Sequence, residues 1–537
     1  MEFSTIDLVV FISYCLLIIG IGLFVSRDKK GHQKKAEDYF LAGKNLPWWA
    51  IGASLIAANI SAEQFIGMSG SGFALGLAIA SYEWMAAITL LIVGKYFLPI
   101  FIEKGLYTIP EFVEKRFSAN LKTILAVFWI ALYIFVNLSS VLYLGALAFE
   151  TIMGIPRLYA VFGLGLFAAV YSLYGGLSAV AWTDVIQVVF LVLGGLVTTY
   201  LALDVLSDGQ GFLVGFNLVL EAAPEKFHMI LDQSNDQYVN LPGIWVLVGG
   251  MWVANIYYWG FNQYIIQRTL AAKSLGEAQK GIALAAFLKM IIPFIVVLPG
   301  IAAYVMVNEP EVMARLGASG QLNLPGVGAS DKAYPWLLQL LPTGLKGIAF
   351  AALTAAIVSS LASMLNSTST IFTMDIYKQY INKNASNRQL VNTGRLSAGI
   401  ALIIACIMAP LLGEIDQAFQ FIQEYTGIVS PGILAVFLLG LFWKKTSNQA
   451  AIWGAVLSIP IAIGLKFIPD IPFINQMGLT AIGTMILIII ISYQTGKGED
   501  DPKGIQLEKK FFTTSPIFNI SAFIICILTA VLYTVFW

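Results

Sequence analysis

Apolar runs about twenty residues long recur from one end of the chain to the other, each closed by a short polar, glycine- or proline-bearing stretch. About 20 apolar residues is the length an α-helix needs to cross the hydrocarbon of a bilayer. Fourteen segments have this character: 6–25, 47–73, 79–102, 121–150, 158–174, 180–203, 245–267, 281–307, 347–377, 396–412, 418–443, 450–467, 478–493 and 517–537. Segments 9 and 11 are the least uniform, being rich in Ser, Thr, Gln and Gly. The longest polar stretches, 204–242, 308–335 and 496–516, are too short to enclose a core of their own. The pattern predicts an all-α integral membrane protein in a single membrane domain.

Charge gives an orientation. Connections on the cytoplasmic side of a membrane are rich in Lys and Arg. With the N-terminus outside, the odd-numbered connections and their flanks hold Arg27, Lys29, Lys30, Lys34, Lys35 and Lys44; Lys104, Lys115, Arg116 and Lys122; Arg268, Lys273 and Lys280; Lys378, Lys383, Arg388 and Arg395; Lys444 and Lys445; and Lys497, Lys503, Lys509 and Lys510. That is 23 of the 31 basic residues. A missed or invented helix would scramble the alternation beyond the error. An even number of spans with both termini outside is therefore expected, in the plasma (inner) membrane.

Composition narrows the classes. The chain is 58% hydrophobic and 12% charged, with mean hydropathy +0.79, which fits a membrane-embedded chain and no soluble domain of this size. Zero net charge argues against a nucleic-acid partner. Cys15, Cys406 and Cys526 all fall in apolar runs and suggest neither disulfides nor a zinc site. His32 and His228 lie far apart. The basic flank of the first run follows it, the wrong order for a secretory signal peptide. No intramembrane Ser–His pair, His cluster or Gly-x-Ser-x-Gly elbow suggests an enzyme.

Segment 2 breaks the apolar pattern. "AANISAEQFIGMSGSGFALG", from Ala57 to Gly76, places Asn59, Ser61, Glu63, Gln64 and several glycines at membrane depth. Non-helical backbone there is tolerated where it is buried in protein or lines a cavity. Segment 7 does the same in "VANIYYWGFNQYIIQ", from Val253 to Gln267. Interrupted helices at corresponding positions of two halves point to a transport site at the midplane. Segments 2–6 (47–203) and 7–11 (245–443) then form two five-helix repeats. An odd number of helices per repeat makes the second inverted relative to the first. Segment 1 (6–25) and segments 12–14 (450–537) are peripheral.

In segment 9, Ala356, Ser359, Ser360 and Ser363 fall at i, i+3, i+4 and i+7, one stripe of a helix. Such a stripe serves close helix packing, or it offers neutral oxygens to an ion. A hard monovalent cation prefers oxygen ligands, and unwound carbonyls with two serine hydroxyls suit sodium.

"SLIAANISAEQFIGMSGSG", "YGGLSAVAWTDVIQ", "YYWGFNQYIIQRTLAAKS", "FAALTAAIVSSLASMLNSTSTIFTMDIY" and "FIQEYTGIVSPGILAVFLLGLFWKK" resemble the sodium/solute symporter family, in particular its sugar-carrying branch. The likeness runs over nearly the whole chain. It implies a leucine-transporter-like five-plus-five inverted-repeat helical bundle working by alternating access. It implies a sodium site made by the carbonyls of Ala57, Ile60 and Ala356 and the hydroxyls of Ser359 and Ser360.

A neutral hexose needs donors and acceptors around a dry pocket and a flat apolar face. The spans supply Gln64, Glu83, Asn255, Lys289 and Gln423, with Tyr82, Tyr258, Trp259, Phe419 and Met68 as apolar surface. Charges within spans are costly, and functional or paired, so Glu83 and Lys289 stand either as solute ligands or as an ion pair across the bundle. Tyr258 and Trp259 read either as interfacial anchors or as pocket surface, and their mid-span position weighs against the first. The resemblance implies that Gln64, Glu83, Asn255, Lys289, Ser363 and Gln423 surround galactose, with Tyr258 stacked on it as inner gate. Met68, Tyr82 and Phe419 then close the outer side, and Asn59 and Asn137 support the network. One position departs: Ala86 stands where the sugar branch has a serine, which opens the choice between galactose and glucose. Asp184 reads either as an acid at a helix start, stabilised by the dipole, or as a waypoint for departing sodium.

The expected function is sodium-coupled symport of a neutral hexose across the lipid bilayer, with sodium as the co-transported ion. Another small nutrient, such as an amino acid or inositol, and a sensor that binds without pumping are the alternatives.

Overall fold

The structure, a computed structural model, describes residues 3–25, 35–321, 323–413 and 417–537. Arg27, Lys29, Lys30, Lys34 and His32 lie outside them. Among the described residues every regular element is helical, and one isolated bridge joins Leu46 to Ala272.

Helix occupies each of the fourteen segments. Among the described residues, eleven helices are by themselves long and apolar enough to cross a membrane. Segments 2, 5 and 7 fall short for identifiable reasons. Segments 2 and 7 are broken. Segment 5 forms the first part of the helix Arg157–Leu206, which is split at Gly176 into segments 5 and 6. Gly176 has φ 64°, and a Cβ there would sit 2.4 Å from the Tyr39 carbonyl oxygen. Both the conformation and the space require glycine.

Among the described residues, serine hydroxyls accept a first-turn amide at the start of the helices that follow Ser4, Ser118, Ser274, Ser386, Ser447 and Ser515. Such caps satisfy donors that the helix itself cannot. The last five begin segments 4, 8, 10, 12 and 14, on the side expected to be cytoplasmic, whereas Ser4 begins segment 1 on the other side.

Side-chain size sorts the helices into centre and rim. Segment 9, within Leu345–Ile381, is 94% buried over its most apolar window, against 17% for Thr5–Val25 and 22% for Pro516–Val535. The alanines and hydroxylated residues of segment 9 let neighbouring backbones approach, and it packs along segment 6 and against segments 1, 2 and 10. Segment 8 packs against segments 2 and 3, and segments 11, 12 and 13 pack on one another. Leu16, Phe24 and Phe523 stay exposed, as residues facing lipid tails do.

A broken-helix seam and the cavity beside it

Segment 2 runs as helix from Trp48 to Asn59, turns extended at Ile60 (φ −78°, ψ 101°) and resumes at Glu63. The break removes the amides that would have reached the carbonyls of Ala57 and Ala58. Ser61 N–H, the normal partner of Ala57, donates instead to Gln64 Oε1 at 3.0 Å. Segment 9 supplies replacements. Ser359 Oγ lies 3.0 Å from Ala57 O, and Ser360 Oγ donates to Ala58 O at 2.9 Å. Ala57, Ile60, Ala356, Ser359 and Ser360 are all fully buried. The two helices are thus joined through the released carbonyls, and Ala58 enters as a carbonyl the sequence did not single out.

Segment 7 is interrupted first at Gly249 (φ −116°, ψ −134°) and again beyond the Ala-Asn-Ile it shares with segment 2, not within it. Helix continues through Ala254-Asn255-Ile256 and a π-helical turn, Tyr257–Phe261, before Asn262 goes extended (φ −82°, ψ 119°). Tyr133 OH donates to Asn262 Oδ1 at that break.

Asp184 is not a helix-start acid. It lies well inside the helix that follows Gly176, is fully buried, and pairs with Arg268 at 3.2 Å. Ser54 Oγ donates to its Oδ2 at 2.5 Å, and Ser359 Oγ lies 2.5 Å from its Oδ1. Ser359 therefore has two acceptors, Ala57 O and Asp184, for a single hydroxyl proton. Arg268 is likewise no loop charge: it is fully buried and also donates to Ser54 O, Tyr264 O and Ser363 Oγ. It must be removed from the orientation tally. A buried cation needs a buried partner, and Asp184 is the carboxylate that "QYIIQRTL" folds onto.

The cavity begins at the residue after the seam. Asn59 lines it together with Gln64, Tyr82, Glu83, Ala86, Asn255, Tyr258, Trp259, Lys289, Phe419 and Gln423. It holds about 50 Å³, room for a few water molecules and too little for a hexose, so a solute enters only if the lining parts. Lys289 donates to Glu83 Oε2 and to Asn59 Oδ1, and its ammonium lies 5.1 Å from the centre of the Trp259 ring. Both readings of the Glu83–Lys289 pair thus meet in one place: an ion pair across the bundle whose members line the cavity. Asn59 Nδ2 donates to Tyr258 OH at 2.9 Å, and Tyr264 OH donates to the same oxygen at 2.6 Å. On the opposite side Tyr82 and Phe419 meet edge to face, ring centres 4.9 Å apart.

Ser363, expected at the solute, Met68, expected to close the outer side, and Asn137, expected to support the network, are not among the residues lining the cavity. Ser363 donates to Ser359 O at 2.7 Å and accepts from Arg268, so its hydroxyl belongs to the buried ion pair. Met68 and Asn137 are buried elsewhere in the packing. Gln64 has a second task, since its Oε1 caps the break by accepting from Ser61 N–H and Oγ. Asn255 Nδ2 donates back to Met251 O at 3.2 Å. Glu63, which also lines the cavity, was visible in the sequence only as part of the polar interruption.

Two broken helices, a seam of carbonyls and hydroxyls, and a narrow polar cavity beside them are the features of an ion-coupled solute carrier. Residues 39–458 match the sodium:solute symporter family, and the chain belongs to that family. It is a multi-pass membrane transporter, and sodium is its co-transported ion. Over 535 residues it is 68% identical to the sodium/glucose cotransporter of Vibrio parahaemolyticus, covering 99% of this chain and 98% of that one. Over 472 residues it is 34% identical to the sodium/myo-inositol cotransporter 2 of Homo sapiens, covering 85% of this chain and 69% of that one. Its fold matches that of a Na+-coupled sialic acid symporter solved in a substrate-bound outward-open state, with TM-score 0.79, 24% identity, and 92% and 98% of the two chains covered. The architecture is the leucine-transporter-like bundle expected from the sequence.

Proposed function

We propose that the protein imports a neutral hexose, galactose or glucose, together with sodium, by alternating access across the plasma membrane. The observation that carries this reading is the adjacency of the seam and the cavity. Ala57 and Ala58 O meet Ser359 and Ser360, and the next residue, Asn59, bonds Tyr258 and Lys289 in the cavity. Sodium held by the carbonyls of Ala57, Ile60 and Ala356 and the hydroxyls of Ser359 and Ser360 orders the break. The ordered break sets Asn59, and Asn59 sets the inner gate and the charged pair. A ligand shifts a conformational equilibrium only through differential affinity; a seam that closes on the ion in one state supplies it.

The solute faces Gln64, Glu83, Asn255, Lys289 and Gln423, with Tyr258 and Trp259 below and Tyr82 and Phe419 above. Because Gln64 Oε1 caps the break, its amide nitrogen makes the solute contact. A carboxylate beside an ammonium suits a neutral polyhydroxylated solute, whose hydroxyls both donate and accept, better than an amino acid. The similarity to a sodium/myo-inositol cotransporter makes a cyclic polyol the second reading.

Fourteen spans, both termini outside, and two inverted five-helix repeats at 47–203 and 245–443 complete the proposal. The remaining basic residues of the odd-numbered connections support this orientation. Uptake of labelled galactose into proteoliposomes, with glucose, inositol and amino acids as competitors, tests it. Accumulation driven by an inward sodium gradient is expected. Binding without accumulation identifies a sensor and overturns the reading.

A further inference from the structure

Segment 9 carries the two serines of the seam yet lacks a cap of its own. The residue before its first turn is Gly344, with φ 87° and no side chain to accept an amide. The first amides of a helix need partners, and near lipid they cannot be left to water. Segment 1 provides them. Asp7 Oδ1 accepts from Gly344 N–H at 2.7 Å and from Gly347 N–H at 2.9 Å. Its Oδ2 accepts from Ser4 N–H at 3.2 Å and from Ser4 Oγ at 2.6 Å. The side chain is fully buried, and its charge faces the positive end of the segment 9 dipole. The two backbones touch: a Cβ on Gly347 would lie 2.8 Å from Asp7 Cα and O. One carboxylate therefore caps two helices at once.

From this anchor helix runs unbroken through Ile371. Ser359 and Ser360 lie about 18–20 Å along the axis at ~1.5 Å per residue. A helix transmits rise and rotation along its axis, and a one-residue slip rotates a side chain by about 100°. Such a slip would turn both hydroxyls away from Ala57 and Ala58. We propose that Asp7 is a positioning residue for the sodium site. Segment 1, peripheral by its lipid exposure, holds segment 9 at the height and rotation at which its serines meet the broken helix. The proposal rests on the ion reading given above.

The test is initial sugar uptake against sodium concentration in proteoliposomes carrying the full chain, for the parent, Asp7→Asn and Asp7→Ala. Asparagine keeps one good acceptor and the shape; alanine removes both pairs of bonds. Half-saturating sodium should rise about three-fold in Asp7→Asn and about ten-fold in Asp7→Ala, with sugar affinity at saturating sodium within about two-fold of the parent. That graded split between ion and solute is what a merely structural role would not produce. Parental sodium dependence in both variants, with only a lowered melting temperature, overturns the proposal. If Asp7→Ala does not fold, Asp7→Asn alone decides by the same measurement. A parent without sodium dependence would overturn the ion reading itself, an outcome distinct from failure of the Asp7 assignment.

Discussion

Ser360→Ala isolates the seam, because the side chain makes one hydrogen bond and the change removes one oxygen. Ser360 Oγ donates to Ala58 O at 2.9 Å in a fully buried site. Alanine leaves that carbonyl without a donor, a cost of ~1–3 kcal/mol that falls on the sodium-free protein and is read as a lower melting temperature. The effect on the ion is separate. The proposed ligands are three carbonyls and two hydroxyls, all neutral. Asp184 lies beside Ser359, but its charge is opposed by Arg268, so dipoles carry most of the field on the ion. Losing one ligand of five should weaken sodium by about 10- to 150-fold, if it contributes ~1.4–3 kcal/mol. Half-saturating sodium then rises beyond what an ordinary gradient supplies, and accumulation stops while slow downhill sugar movement persists. Ser360→Thr retains a hydroxyl and should keep part of the coupling. The assay is initial uptake rate against sodium concentration in proteoliposomes. A parental curve for Ser360→Ala, with or without a drop in melting temperature, would refute the assignment and place the ion elsewhere.

Tyr258→Phe should transport more slowly than the parent and Tyr258→Ala hardly at all, because Phe keeps the ring but leaves the Asn59 and Tyr264 donors without their shared acceptor; equal uptake loss in the two variants would show that the ring itself does nothing. Glu83→Gln and Gln64→Ala should each weaken equilibrium sugar binding by roughly 5- to 150-fold, and near-parental affinity in both would remove them from the solute. Asp184→Ala should destabilise the protein by ~3–5 kcal/mol, as breaking a buried pair does, with the loss partly recovered in the double variant with Arg268→Met; thermal unfolding of the two variants checks this, and an unaltered Asp184→Ala melting temperature would contradict a structural role for the pair.

Much of the architecture was legible along the chain. Apolar runs of membrane-spanning length mark the helices because a bilayer leaves the backbone no other local solution. Asn59, Glu63 and Gln64 mark the break in segment 2, since polar residues at that depth must face protein or a cavity. The serine stripe marks the face of segment 9 that meets the break, because side chains three and four apart on a helix share a face.

What only the tertiary structure decided were the long-range partners. Arg268 reads as one more loop cation until Asp184, 84 positions away, is found at 3.2 Å. Ser363 shares the stripe of Ser359 and Ser360, but its hydroxyl bonds Arg268 and Ser359 O and is not part of the cavity lining. The Ala-Asn-Ile of segment 7 repeats that of segment 2, yet the helix continues through it and opens at Asn262. Asp7 sits in a run that reads as a peripheral anchor, and nothing local indicates that it caps a helix more than three hundred residues later. The physical reason is common to these cases. Local sequence sets which backbone groups a segment cannot satisfy by itself, whereas the partner that satisfies them comes from whichever helix the fold brings alongside.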